Sequence, residues 1–110
     1  NINSASGFII PPERDTACLD LEKLSFPVIV RKWLPGDFFY PLGMKKKKKL
    51  SDYFIDSKFS RLDKETALIM ESGGKIAWIV GERIDDRFKV TDTTTKILII
   101  KSEPAKTSNW

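Results

Sequence analysis

Residues 68–80 read LIMESGGKIAWIV, two apolar segments separated by Gly73 and Gly74. The segments are rich in β-branched and aromatic residues, and a glycine pair tolerates the positive φ angles of a tight hairpin turn. The stretch therefore predicts two antiparallel strands, with Trp78 and Ile79 in the core. A phosphate-binding glycine loop would run from a strand into a helix, so this pattern favours a hairpin turn instead.

Further short apolar runs outside the hairpin are also predicted as strands. They lie at 8–10, 17–19, 26–31 and 97–100, with weaker signals at 38–40 and 90–91. Proline and glycine bound several of these runs, which is typical of turns between strands. A count of six or seven short strands favours a β-sandwich over a parallel α/β sheet, and Leu98 is expected inside the sandwich.

One or two short helices are predicted in the middle of the chain. Leu50, Phe54 and Ile55 share one face of a helix, and Ser60 followed by Asp63 has the form of an N-cap with an acid three residues on. The predicted fold class is mainly β with these helices, and α+β is the alternative. The length of 110 residues indicates a single domain, with the polar residues 1–7 and 102–110 expected to be loose.

The composition points away from catalysis within this chain. It contains no histidine and one cysteine, Cys18, so it lacks the commonest general base and the Ser-His-Asp and Cys-His arrangements. Asp85, Asp86 and Asp92 lack calcium-loop spacing and have basic neighbours, which favours ion pairs over a metal site. We expect no catalytic residue, no metal site and no cofactor site in this fragment.

The same composition bears on location. No apolar run approaches the roughly 18 residues of a membrane span, and no signal-peptide pattern opens the chain. A single cysteine cannot form an internal disulfide and fits a reducing compartment. A cytoplasmic protein without a membrane partner is therefore expected.

The positive charge is concentrated in the central third of the sequence. The net charge is +4, but residues 31–64 contain ten basic and four acidic residues and so account for +6. Lys45 to Lys49 form an uninterrupted run at the start of the first predicted helix, where lysines oppose the helix dipole. Such a distribution is typical of a surface that meets a polyanion, and lysines position phosphates without reading base sequence.

Other interpretations of these residues remain open. The lysine run is also consistent with a solvated loop that keeps the domain in solution, or with attraction to an anionic membrane surface. A basic protein-interaction module with an acidic partner is the alternative function. Trp33, beside Arg31 and Lys32, either packs in the core or stacks on a base or ribose.

Several motifs in a fixed order resemble the C-terminal domain of bacterial tRNA(Ile)-lysidine synthetases. The similarity covers about residues 28 to 101. The motifs are VRKWLPGD at 30–37, PLGMK at 41–45, KKLSDYFIDSK at 48–58, IAWIVGERID at 76–85, and KVT at 89–91 followed by Thr94. The chain departs from the family pattern at Lys46, where glycine is usual, and at Ser60, where proline is common.

The resemblance implies a fold and a function. The fold would be the β-sandwich with added helices that is shared with a domain of the phenylalanyl-tRNA synthetase beta subunit. The parent enzyme would use ATP to join lysine to the anticodon cytidine of an isoleucine tRNA with a CAU anticodon. ATP and lysine would bind to its N-terminal domain, a pyrophosphatase-type domain with a Ser-Gly-Gly-x-Asp-Ser loop that this chain lacks.

The C-terminal domain would then be a non-catalytic module that holds the acceptor-stem region of the tRNA. Basic residues of the central segment, together with one arginine after the hairpin, are the expected phosphate contacts. These residues are Arg31, Lys46, Lys47, Lys48, Lys49, Lys58, Arg61 and Arg83.

Overall fold

The computed structural model describes residues 2–3, as backbone, and residues 13–102. Two short helices lie between strands in the order β1 to β5, α1, α2, β6 to β8. The strands are β1 (Ile2–Asn3), β2 (Thr16–Asp20), β3 (Ile29–Lys32), β4 (Phe38–Phe39), β5 (Lys48–Lys49), β6 (Leu68–Ser72), β7 (Lys75–Ile79) and β8 (Ile97–Lys101); the helices are α1 (Leu50–Asp56) and α2 (Arg61–Thr66). Within these residues no helix is long and apolar enough to cross a bilayer.

The strands form three antiparallel sheets, and the predicted hairpin lies in the middle one. The sheet orders are β1-β8-β2, β3-β6-β7 and β4-β5. Gly73 and Gly74 turn the β6–β7 hairpin with φ angles of 58° and 79°, and a side chain at Gly73 would also approach the Ser25 Oγ to 3.2 Å. The predicted hairpin and the mainly β fold with two short helices are confirmed.

The hairpin sheet is buried on both of its faces. Trp78 and Ala77 pack with Leu19 and the rest of one buried cluster that joins this sheet to the β1-β8-β2 sheet. Ile76 and Ile79 belong to a second cluster, formed with Phe39 and the apolar face of α1. Burial on both sides explains why residues 76–80 read as a continuous apolar run rather than as an alternating one.

Both helices begin where the sequence predicts. The Ser60 hydroxyl accepts the Asp63 N–H at 3.0 Å, and the Asp63 carboxylate accepts the Ser60 N–H at 3.1 Å, which together make a capping box. Helix α1 starts after Lys49, which makes no side-chain cap. Its stability comes instead from Leu50, Tyr53 and Phe54, which are buried against the second cluster.

The structure differs from the sequence predictions at several places. Residues 90–91 are not a strand; Thr91 and Thr94 close a turn in which the Thr94 hydroxyl donates to buried Asp20 at 2.8 Å. Leu98 is half-buried rather than buried, because it lies in the outer sheet and packs at the margin of the first cluster.

Two predictions concern the first part of the chain. The strand predicted at 8–10 lies outside the described residues. Within the segment 1–7 that we expected to be loose, Ile2–Asn3 pair with Leu98 and Ile97 of β8.

Candidate nucleic-acid interface

The lysine run forms a turn and a short strand rather than part of helix α1. Lys45, Lys46 and Lys47 are exposed residues of the loop that follows Pro41, and Lys48–Lys49 are strand β5. Strand β5 pairs with β4, so that Lys48 is opposite Phe39 and Lys49 is opposite Phe38. Directly opposed residues of an antiparallel pair share a face, which places Lys48 on the buried side and Lys49 on the outer side.

The loop that precedes the strand is fixed at several points. Leu42 N–H donates to the Ile84 carbonyl at 3.2 Å, Met44 N–H donates to the Pro41 carbonyl at 2.8 Å, and Gly43 N–H donates to Asp86 Oδ1 at 2.9 Å. The Gly43 N–H and the Lys89 ammonium hold the pKa of Asp86 below its ordinary value. Lysines 45–47 are thus presented from an anchored loop.

Lys48 differs from its neighbours because it already has an acidic partner. Its ammonium forms an ion pair with Asp56 at the end of α1, which joins the lysine strand to the helix. Lys46 and Lys49, by contrast, are exposed. We therefore expect Lys48 to contribute less than those two residues to binding an external anion.

The outer face of the β4–β5 pair combines cations with aromatic rings. Lys47 Nζ lies 4.8 Å from the centroid of the Phe38 ring, and Arg87 Cζ lies 4.5 Å from that of Tyr40. Phe38 and Tyr40 contact each other edge-to-face at 6.2 Å between centroids. We call Phe38, Tyr40, Lys47 and Arg87 the basic–aromatic array.

Arg31 is bound to carboxylates within the domain. Its Nη1 and Nη2 donate to Asp37 at 2.9 and 3.0 Å, and its Nε donates to Glu71 at 2.9 Å. The hydrogen bonds that Arg31 donates to Asp37 raise the pKa of Arg31, so the guanidinium stays charged. The two carboxylates neutralise this charge. Through these ion pairs, Arg31 links the turn after β3 to strand β6 of the hairpin sheet.

Asp37 makes this ion pair sensitive to acid. Burial raises the pKa of Asp37, but hydrogen bonds from Arg31 and from the Leu34 N–H outweigh burial and hold it below the ordinary value of 3.8. The folded chain therefore binds this proton less tightly than the unfolded chain does, and the stabilisation present at neutral pH is lost as the pH falls below about 4.

The Asp37→Asn variant tests this linkage. We expect it to be less stable than the unsubstituted chain at pH 7 and to lose less stability between about pH 5 and pH 2. Urea unfolding at a series of pH values would measure both effects, with Asp92→Asn, a change at an exposed carboxylate, as the control. Parallel stability curves for Asp37→Asn and the unsubstituted chain would contradict the expectation.

The other predicted contacts lie on other elements of the fold. Lys58 is exposed in the turn after α1 with a φ of 57°, and Arg61 begins α2 and pairs with Glu65 on an open surface. Arg61 lines a hollow together with Lys32, Trp33 and Lys64. Arg83 is exposed in a different groove, between strands β2 and β7, where acidic residues also lie.

Sequence reasoning missed several residues that the fold brings to these surfaces. Lys32 and Lys64 join Arg61 through the pairing of β3 and the position of α2. The Arg87 guanidinium lies over the Tyr40 ring although the two residues are 47 positions apart, so no local sequence pattern predicts this contact. Trp33 packs edge-to-face on Phe54 at 5.0 Å and donates its Nε1–H to the Lys64 carbonyl at 2.6 Å, so the core-packing interpretation of this residue is the observed one.

Two of the three aspartates, Asp85 and Asp86, form the expected ion pairs, and the third, Asp92, is exposed. Arg87 pairs with Asp85 at 2.9 Å and Lys89 pairs with Asp86 at 3.0 Å. Among residues 13–102, no group of three or more His, Cys, Asp or Glu side chains could hold a metal ion.

The comparison with protein families identifies the domain. The model of the TilS substrate C-terminal domain matches residues 28–100. The chain belongs to this family. The match agrees with the resemblance in the motifs between residues 28 and 101, and it contains both helices and the hairpin.

Relatives in two bacteria are similar over most of the chain. A tRNA(Ile)-lysidine synthase of Parabacteroides distasonis is 50% identical over 93 residues, which are 84% of this chain and 21% of that protein. One of Bacteroides thetaiotaomicron is 48% identical over 94 residues, which are 86% of this chain and 22% of that protein. The chain thus spans about a fifth of the length of these curated relatives.

Two solved structures share the fold. A crystal structure of a TilS C-terminal domain superposes with a TM-score of 0.76 and 22% identity, covering 91% of this chain and 77% of the other. An N-terminal fragment of the phenylalanyl-tRNA synthetase beta subunit from Pyrococcus horikoshii gives a TM-score of 0.66 and 18% identity, covering 76% and 26%. The predicted similarity of this chain to both folds is confirmed.

Proposed function

We propose that this TilS domain binds tRNA, through phosphate contacts near the acceptor stem, as part of a tRNA(Ile)-lysidine synthase. The whole enzyme would join lysine to the anticodon cytidine of an isoleucine tRNA at the expense of ATP. ATP and lysine would bind to another part of the enzyme, so this domain itself would be non-catalytic and free of cofactors. Such an enzyme would work in the cytoplasm, where its tRNA substrate is.

The observation that supports the proposal best is the set of exposed lysines on an anchored loop. Lys45 to Lys47 and Lys49 are exposed, while the backbone of the loop is hydrogen-bonded to the turn at 84–86. Ammonium groups presented in this way neutralise phosphates and release counterions. Lys58 and Arg61, also exposed, would extend the contact along a duplex, whereas Arg31 would act by fixing the neighbouring turn.

A salt titration with a tRNA acceptor minihelix tests the proposal. Each phosphate contact adds about 0.7–0.9 to the slope of log affinity against log salt. The double variant Lys46→Ala with Lys49→Ala should therefore bind more weakly and show a slope flatter by roughly 1.4–1.8. Full tRNA and the minihelix should be affected alike, because phosphate contacts position the protein without reading sequence.

The matched control removes two lysines elsewhere. Lys96 and Lys101 are also exposed, so Lys96→Ala with Lys101→Ala changes the net charge equally but away from the central segment. Its slope should stay close to that of the unsubstituted domain. Equal slopes for the two double variants would exclude the lysine run as the binding surface.

The second candidate function is a module for an acidic protein partner, and the lysine run alone is compatible with it. Such a module would bind heparin as tightly as it binds duplex RNA of equal charge. The tRNA proposal predicts a preference for the minihelix at the same salt concentration. Competition between the two polyanions therefore separates the functions.

A further inference from the structure

Phe38 is an exposed aromatic ring at the edge of a basic cleft. Its side chain is 39% exposed, while Phe39, the next residue, is fully buried. The cleft beside Phe38 is lined by Lys75 and Arg87 as well as by the Arg31–Asp37 ion pair. The Phe38 ring adds little to either buried cluster, so the core does not account for a phenylalanine at this position.

The groups around this ring are held in place before any ligand arrives. Tyr40 N–H donates to Asp85 Oδ2 at 2.9 Å, and Asp86 N–H donates to the Tyr40 carbonyl. Arg87 makes two side-chain hydrogen bonds to Asp85, at 3.0 and 2.9 Å, while it lies over the Tyr40 ring. A fixed arrangement of rings and cations loses little conformational entropy when a ligand binds.

We infer that the basic–aromatic array binds an unpaired nucleotide, the single-stranded 3′ end that adjoins the stem of a tRNA. The inference rests on the proposed function and deepens it. Bases inside a duplex are stacked on both sides, so a protein ring stacks on a base only at the open end of the stem or on an unpaired nucleotide. The lysine run would bind the phosphates of the stem, while the Phe38 ring would stack on a base of the single-stranded end.

The cations of the array suit the charged part of such a nucleotide. Lys47 Nζ lies over the Phe38 ring, 4.8 Å from its centroid, so a base that stacks on this face displaces the ammonium and brings its own phosphate within reach of it. Lys75 and Arg87 also line the cleft, and the Arg87 guanidinium is paired with Asp85. Cations interleaved with stacking rings are the arrangement with which proteins bind single strands without sequence preference.

An RNA duplex with an abasic overhang separates stacking from charge. The probes are a blunt two-strand duplex, the same duplex with a four-nucleotide 3′ overhang, and one whose overhang has phosphates and riboses but no bases. With the full 110-residue chain, we expect the bases of the overhang to strengthen binding at least about five-fold. Phe38→Leu should abolish this gain, and Phe38→Tyr, which keeps a ring, should retain it.

Two further measurements make the result specific. Phe26 is another exposed phenylalanine, so Phe26→Leu is the matched control and should keep the gain from the overhang bases. Phe38→Leu removes no charge and should leave the salt slope for the blunt duplex unchanged. This pair of results would assign the ring to base stacking rather than to folding or to general attraction of RNA.

The inference and the proposed function fail in different ways. Equal affinity for the normal and abasic overhangs, or a full gain in Phe38→Leu, would overturn the inference while salt-dependent binding of the blunt duplex upheld the proposed function. Two blunt hairpins, one with a normal loop and one with an abasic loop, give a further test. If the gain in affinity depended on the bases of the hairpin loop rather than on those of the overhang, the inference would also be overturned. Absence of binding to all the RNAs would remove both.

Discussion

The Asp85→Ala variant is expected to have a free energy of unfolding about 3–5 kcal/mol below that of the unsubstituted domain. Asp85 is fully buried and accepts hydrogen bonds from the Tyr40 N–H, the Arg87 N–H and the Arg87 guanidinium. Removing the carboxylate leaves these donors without an acceptor and the Arg87 charge unpaired. Urea unfolding followed by tryptophan fluorescence would measure the loss.

Two variants calibrate this prediction. Asp85→Asn keeps the shape and part of the accepting capacity, so it should fall between Asp85→Ala and the unsubstituted chain. Asp92→Ala removes an exposed carboxylate and should change stability by no more than about 0.5 kcal/mol. If Asp85→Ala were as stable as Asp92→Ala, the hydrogen bonds of Asp85 to Tyr40 and Arg87 would contribute nothing to the stability of the fold.

The Trp78→Ala variant is expected to lose about 3–5 kcal/mol, the range for truncation of a large buried aromatic side chain. Trp78 is 3% exposed and lies in β7 opposite Met70, and side chains of β2 and β8 pack on the same cluster. The substitution opens a cavity between the two larger sheets. Thermal and urea unfolding followed by far-ultraviolet circular dichroism would measure the loss without relying on the missing fluorophore.

The position of the ring in the core can be tested by a graded series. Trp78→Phe leaves a smaller cavity and should cost less than Trp78→Ala. Phe26→Ala, at an exposed phenylalanine, should cost far less than either. An unchanged thermal midpoint for Trp78→Ala would contradict the burial of β7 between the sheets.

The candidate site was only partly accessible from the sequence. The excess of positive charge between residues 31 and 64 indicated a basic surface, because lysine side chains stay in solvent without needing a particular partner elsewhere in the fold. The pattern did not separate Lys48 and Arg31, which pair with Asp56, Asp37 and Glu71, from Lys46 and Lys49. It also did not indicate that Phe38 and Tyr40 lie beside Arg87.

Local chemistry by itself determined the hairpin at Gly73-Gly74, the capping box of α2 and the mainly β fold. Each depends on residues a few positions apart, because the backbone preferences and hydrogen bonds that form it lie within one turn or one pair of adjacent strands. The ordered motifs between residues 28 and 101 determined the family in the same way, since they are properties of sequence alone.

Only the tertiary structure decided which charges are neutralised and which remain on the surface. Arg31 meets Glu71 across 40 residues, Tyr40 meets Asp85 across 45, and Asp20 meets Thr94 across 74. The Arg31–Glu71 and Asp20–Thr94 contacts depend on which strands pair within a sheet, whereas the Tyr40–Asp85 contact depends on how β4 stacks against the hairpin sheet. Both arrangements are set largely by apolar burial, which has no direction and leaves no short-range signature in the sequence. The same stacking places Arg87 over Tyr40 and so forms the basic–aromatic array.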